Sequence, residues 1–145
     1  MNILIISDCP YSCHEARTTI SYLFTRYEIE ECRHADSLIV LEQLKRDGIK
    51  PNLILFDIDS KVLSEAEKSV LLNYCSKSDY FAENHILLLI GSYSHELEIR
   101  QAPLLMKPFS INQMGSFLRR NYVRKAHAQP YLTKLDGELG KSLAF

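Results

Sequence analysis

Apolar residues in this chain fall into two alternating patterns. Short unbroken runs of Ile, Leu and Phe occur at 2–7 (Asn-Ile-Leu-Ile-Ile-Ser), 53–56 (Leu-Ile-Leu-Phe), 86–90 and 104–106. Such runs predict strands buried on both faces, as in a parallel sheet. Residues 28–32 are shorter in apolar content and partly β-branched, and predict an edge strand. Between the runs the spacing changes to three and four residues. Ala16, Ile20, Leu23, Phe24 and Tyr27 predict a helix from Tyr11 to about Tyr27. Leu38, Leu41 and Leu44 share one face of a helix over 37–47, which Gly48 closes. Ser64-x-x-Glu67 is a capping box opening a helix that carries Val70, Leu71 and Tyr74. Residues 94–100 predict two helical turns. Ser110 caps a last helix to about Tyr122, with Ile111, Met114, Phe117, Leu118 and Tyr122 as its apolar stripe.

Five strands alternating with helices predict a parallel sheet covered on both faces. Right-handed crossovers then make it a doubly wound, three-layer α/β/α domain over residues 1–122. Parallel strands end on one edge, so Asp8, Asp57 and Lys107, each just after an apolar run, are expected to meet in the crevice where such sheets hold ligands. Residues 123–145 differ: Arg124, Lys125 and Lys134 make them basic, and Gly137 and Gly140 loosen them. They read as a linker, a short amphipathic helix, a dimer arm or, most simply, a solvated tail.

Bulk composition narrows the function classes. The chain has 145 residues, 46% hydrophobic and 24% charged, with a net charge of −1. That is an ordinary globular composition with no field directed at nucleic acid or membrane. No apolar run approaches 20 residues, and Asp8 interrupts the first one, which argues against a signal peptide. The expectation is a cytoplasmic protein. Cys9, Cys13, Cys32 and Cys75 lack the paired spacings of a zinc site and read as free thiols. The histidines at 14, 34, 85, 95 and 127 form no spaced pair and read as surface or helix-end residues. Gly137-Glu-Leu-Gly140-Lys141-Ser142 imitates the end of a phosphate-binding loop, but Leu135 stands where that loop needs glycine.

Two carboxylates and an ammonium suit Mg²⁺ and a phosphoryl group. A carboxylate accepts phosphorus when the transferred charge is countered, and Mg²⁺ with a lysine supplies that counter-charge. Asp57 follows the central strand and is the better nucleophile; Asp8 follows a neighbouring strand and is the better metal ligand. Ile-Ile-Ser7-Asp8, Pro51-Asn52-Leu-Ile-Leu-Phe-Asp57 and Leu-Met-Lys107-Pro108-Phe109 together resemble the receiver domain of two-component response regulators, the flavodoxin/CheY-like fold. The resemblance covers about residues 1–122. It implies that Asp57 is the phosphoacceptor, served by a histidine kinase or phosphotransfer protein. It also implies that Asp8, Asp57 and the carbonyl of Asp59 are Mg²⁺ ligands, that Lys107 holds the phosphate, and that the Lys107-Pro108 bond is cis.

The chain departs from that family at four places. Ser7 stands where a second acid is usual, which weakens the expected Mg²⁺ site. Gly91 holds the place of a Thr or Ser after the fourth strand, leaving Ser92, one step on, as the candidate phosphate-binding hydroxyl. Leu104 holds the place of the switch aromatic, and the segment from 91 to 107 is short. The expected function is therefore a receiver phosphorylated on Asp57, with self-phosphorylation and dephosphorylation as its only chemistry, acting on a downstream protein or as a homodimer. The alternative is a degenerate receiver working by protein contact without phosphorylation. A third class, a hydrolase of the haloacid dehalogenase type, shares the Asp57-Ile-Asp59 motif but needs a longer chain.

Overall fold

The structure is a computed structural model, and it describes residues 1–59, 61–77, 86–92 and 102–123. The expected helix at 94–100 and all but the first residue of the 123–145 segment lie outside the described residues. Five strands, β1 (Asn2–Ile6), β2 (Glu28–Cys32), β3 (Leu53–Asp57), β4 (Ile86–Gly91) and β5 (Leu104–Met106), form one sheet in the order β2-β1-β3-β4-β5. Every pairing is parallel. Among the described residues the four α-helices are α1 (Pro10–Leu23), α2 (Ser37–Arg46), α3 (Glu65–Lys77) and α4 (Ile111–Leu118). A π-helical turn, Arg119–Val123, extends α4.

The strands alternate their side chains between two cores, as the pleat requires. Ile3, Ile5, Leu53, Leu55, Leu88 and Ile90 pack under α1 and α4, against Ala16, Ile20, Met114 and Leu118. Leu4, Ile6, Ile54, Phe56 and Leu89 face the other way, onto Leu41 and Leu44 of α2 and Leu71 and Cys75 of α3. Shifting any central strand by one residue would exchange the two sets.

Helix ends follow local chemistry. Pro10 opens α1, where its missing N–H leaves no helical bond unmade. The box Ser64–Glu67 is formed in both directions, at 3.0 and 3.1 Å. So is Ser110–Gln113, at 2.8 and 3.1 Å. Gly48 follows α2 with φ +71°, the left-handed conformation that favours glycine.

Two expectations are corrected. α1 stops at Leu23 rather than near Tyr27, because Phe24 turns extended while its N–H still reaches the Ile20 carbonyl. Phe24 nonetheless stays in the core, edge-on to Tyr122 with ring centres 5.6 Å apart. The apolar spacing thus outlasts the helix, since a folded-back turn buries the same side chains. Leu38 and Val70 do not join the core: they are 49% and 67% exposed and flank a groove between α2 and α3.

Candidate functional site at the carboxyl edge of the sheet

Strands β1 and β3 are neighbours, and their connections leave for opposite faces of the sheet. The crevice at their carboxyl ends is the switch point where such folds bind ligands. Asp57 ends β3 there with its side chain 1% exposed. Its Oδ2 accepts two hydrogen bonds, one from Ser7 Oγ at 2.6 Å and one from Lys107 Nζ at 2.6 Å. Its Oδ1 accepts the Asp59 N–H at 2.9 Å. The buried carboxylate is thus paired and hydrogen-bonded, the condition under which burying a charge is tolerable.

Lys107 reaches Asp57 from two strands away, across the end of β4, with its own N–H on the Gly91 carbonyl at 2.9 Å. The Lys107-Pro108 bond is cis. Lys107 Nζ also lies 3.3 Å from Asp59 Oδ2. Burial alone would lower the pKa of this amine, but the hydrogen bond to Asp57 and the charges of Asp57 and Asp59 outweigh it, and the pKa rises. The ammonium form is therefore secured.

Ser92 does not face Asp57. Its hydroxyl donates to Asp59 Oδ2 at 2.7 Å, and its N–H lies 3.1 Å from each Asp59 oxygen. Gly91 is bare for a steric reason. A Cβ there would sit 2.1 Å from Ile58 Cγ1 and 2.7 Å from Ile58 Cδ1. The fully buried Ile58 side chain fills the space a Thr or Ser at this position would need.

Asp8 sits at the rim, with a third of its side chain exposed. Its partner is a residue the sequence reading left on the surface. His34 begins a 3₁₀ turn, 34–36, between β2 and α2 and is 1% exposed. Its backbone N–H donates to Asp8 Oδ1 at 3.0 Å. Its ring Nε2 meets the Asp57 carbonyl, and Nδ1 lies 3.0 Å from Asp8 Oδ2. That last contact has ion-pair distance but lacks the alignment of a hydrogen bond. Burial opposes ionisation of Asp8, while the His34 N–H and ring and the Arg33 charge favour it and prevail, lowering the pKa. Reading His34 as a surface residue is thus overturned, while its place at a helix end holds. The available signal was its position two residues past the end of β2, beside β1 in the sheet order.

The donor set is of mixed suitability for Mg²⁺, which takes hard oxygens in near-octahedral array. Asp8 and Asp57 are of the right type, and so is the carbonyl of Asp59. Yet both Asp57 oxygens already accept hydrogen bonds, Ser7 brings a neutral hydroxyl, and Asp8 faces an imidazole nitrogen. Among the described residues no three His, Cys, Asp or Glu side chains converge as a metal-holding group. The residues therefore do not fit Mg²⁺ as they stand. Also among the described residues, no helix is long and apolar enough to cross a membrane, and all four cysteines are free.

No family model matches the chain, and no curated protein matches it by sequence. Solved structures do match. A two-component transcriptional regulator AraC from Clostridium phytofermentans is 17% identical with a TM-score of 0.64, covering 89% of this chain and 98% of that one. The chemotaxis response regulator CheY4 of Vibrio cholerae is 14% identical with a TM-score of 0.61, covering 82% and 96%. A response regulator from Thermotoga maritima is 10% identical at 0.59, covering 82% and 94%. With five parallel strands in the order 2-1-3-4-5, this chain has the flavodoxin/CheY-like fold of response regulator receiver domains.

Proposed function

We propose that this chain is a receiver module of two-component signalling that accepts a phosphoryl group on Asp57. The observation that supports this most is the 2.6 Å contact between Lys107 Nζ and Asp57 Oδ2 at the switch-point edge, beside Asp8. In the transfer, an Asp57 oxygen attacks phosphorus and its lone pair forms the new P–O bond. The P–N bond to a donor histidine breaks, and its electron pair leaves with the imidazole nitrogen, which takes a proton from water. Lys107 counters the charge on the moving group. The partners are a histidine kinase or phosphotransfer protein upstream and a protein target downstream, with self-association through a homodimer as a further mode of output. Mg²⁺ has no step in this reading, because Ser7 offers no charge and both Asp57 oxygens already accept hydrogen bonds.

A second reading, contact without phosphorylation, is favoured by one specific feature: Ile58 occupies the place of the hydroxyl-bearing side chain beside the acceptor, and Asp57 is closed over. Incubation with acetyl phosphate and Mg²⁺, followed by intact-mass measurement, separates the two. The first reading expects one phosphoryl adduct on the wild-type chain and none on Asp57→Asn. Absence of an adduct under conditions that label an ordinary receiver would overturn it in favour of the second.

A further inference from the structure

A groove of about 580 Å³ lies between α1 and α4. Leu23 of α1 and Ile111 of α4 give it apolar walls, and the exposed ring of Tyr22 lines it as well. Among the described residues that line it, Arg119 is the only charged one. Arg119 is partly buried, and its Nε is fully buried with no hydrogen-bond partner. Its neighbours differ: Arg120 Nε donates to the Ser116 carbonyl at 3.4 Å, and Asn121 Nδ2 to the Phe117 carbonyl at 2.8 Å. The carbonyl one turn before Arg119, that of Gly115, is taken by the Arg119 backbone N–H instead. Among the described residues no ion pair includes Arg119. A guanidinium is a permanent cation, and one drawn partly out of water ordinarily finds an acceptor. Gly115 bears on the same point. It stands inside α4, where glycine weakens a helix relative to alanine. No left-handed φ calls for it, since the positive-φ glycine among the described residues is Gly48. Nor does packing: a Cβ there would come no nearer than 3.9 Å to Thr19 Cγ2 and Arg119 Nη2. What the missing side chain leaves is an open approach to the Nη2 edge of the guanidinium.

We propose that this groove binds a small organic carboxylate, with its oxygens on the Nη edge of Arg119 and its apolar or aromatic body against Tyr22, Leu23 and Ile111. The planar fork of a guanidinium matches the two oxygens of a carboxylate. A concave site of this size, apolar with a few placed polar groups, suits a small ligand. One cation among apolar walls favours a monoanion with a hydrophobic body over inorganic phosphate, whose remaining oxygens would be desolvated against Leu23 and Ile111 without partners. Thr19 is already spent as a donor: its hydroxyl goes to the Glu15 carbonyl at 2.8 Å, and its methyl borders the gap above Gly115. Asn112, exposed on the same groove, adds an amide donor for a carboxylate oxygen. The π-helical turn Arg119–Val123 begins at the arginine itself, and such turns recur at functional sites. The site stands apart from Asp57 and does not depend on phosphorylation.

Nitrogen–proton NMR titration of the full chain with benzoate, without a phosphoryl donor, tests it. Benzoate should give saturable shifts centred on residues 19–23 and 111–119, with a dissociation constant on the order of 1 mM. Benzamide, its neutral isostere, and inorganic phosphate should each bind roughly tenfold more weakly or worse. Arg119→Gln should weaken benzoate by roughly tenfold and leave benzamide unchanged. Gly115→Leu keeps the cation but fills the gap, so it should remove the binding of both, and it serves if Arg119→Gln does not fold. The comparison of benzoate with benzamide on the wild-type chain needs no variant at all. Equal binding of benzamide or phosphate, benzoate binding unchanged in either folded variant, or shifts that do not saturate would each overturn the proposal. Because no phosphoryl donor is present, a negative result here is distinct from a failure to phosphorylate Asp57.

Discussion

Placing a methyl group at Gly91 is a direct probe of how the site lost its usual hydroxyl. The new Cβ would lie 2.1 Å from Ile58 Cγ1, whereas carbon atoms rest about 3.5–4.0 Å apart. Ile58 would have to retreat by roughly 1.5 Å, yet it is fully buried in the core on the α2–α3 side. Overpacking of this kind costs about 1–3 kcal/mol, and a Cβ-branched side chain with little space to turn places Gly91→Ala toward the upper end. With an m-value of about 2 kcal/mol/M in urea, the midpoint should fall by about 1.5 M. Ile58→Ala alone should cost about 2–5 kcal/mol through the cavity it leaves. The double variant should be less destabilised than the sum, with a coupling of about 1–3 kcal/mol, because each change makes room for the other. Urea unfolding followed by circular dichroism measures all three. A midpoint for Gly91→Ala within about 0.2 M of wild type, or strict additivity in the double variant, would refute the argument that Ile58 excludes a side chain from this position.

Three further outcomes follow from the same geometry. Lys107→Met leaves the buried Asp57 carboxylate without its cation and should destabilise by about 3 kcal/mol; adding Asp57→Asn should recover part of that, and a denaturation midpoint that falls further on adding it would contradict the ion pair. In alkali, burial pushes the Cys13 thiol up to about 11 and those of Cys32 and Cys75 up to about 12 from 9.0. Since the folded chain holds these thiols neutral, their contribution is complete below pH 9 and is lost as pH rises toward 12. Lys107, also raised, loses its contribution on the same side, above its ordinary 10.5. Stability measured across pH should therefore decline from about pH 9 upward, and Cys75→Ala should flatten part of that decline. Cys9 differs: burial opposes its ionisation, but Ser12 and the Lys107 charge overcome this and lower its pKa. It should be the first thiol to react with a disulfide reagent at neutral pH, which peptide mapping checks; faster labelling of Cys32 would count against it.

Much of this was legible in the sequence because the fold writes itself in patterns of two and of three to four. The runs at 2–7, 53–56 and 86–90 had one interpretation, and every described pairing among them is parallel. Asp57 and Lys107 were legible because each ends an apolar run, and strand direction alone brings them to one edge. What escaped was set by tertiary contact. His34 lies in a short turn with no periodicity, and its burial depends on β2 being placed beside β1, which a linear pattern does not encode. The Ile58–Gly91 contact joins the residue just past β3 to the end of β4, so a bare glycine gave no sign of what fills its place. Ser92 stood one residue from where a hydroxyl was wanted, and Asp59 rather than Asp57 took it. The end of α1 was overestimated because Phe24 and Tyr27 are drawn to the core whether or not they are helical.

These departures combine into one electrostatic consequence. A second carboxylate at position 7, about 4 Å from Asp57, would repel it by roughly 4 kcal/mol at an effective dielectric near 20. Such a pair needs a divalent cation or a raised pKa to persist. Ser7 replaces that repulsion with a hydrogen bond of 2.6 Å to the same Asp57 oxygen that Lys107 holds. The acceptor carboxylate is thereby satisfied by the protein alone. A phosphoryl group bonding to Asp57 Oδ2 would compete with the Ser7 and Lys107 bonds held there. Ser7→Ala tests this competition: it should leave Asp57 less satisfied and more open, raising the rate of adduct formation with acetyl phosphate while lowering the urea midpoint. Slower labelling together with unchanged stability would show that the hydroxyl neither closes the acceptor nor holds it.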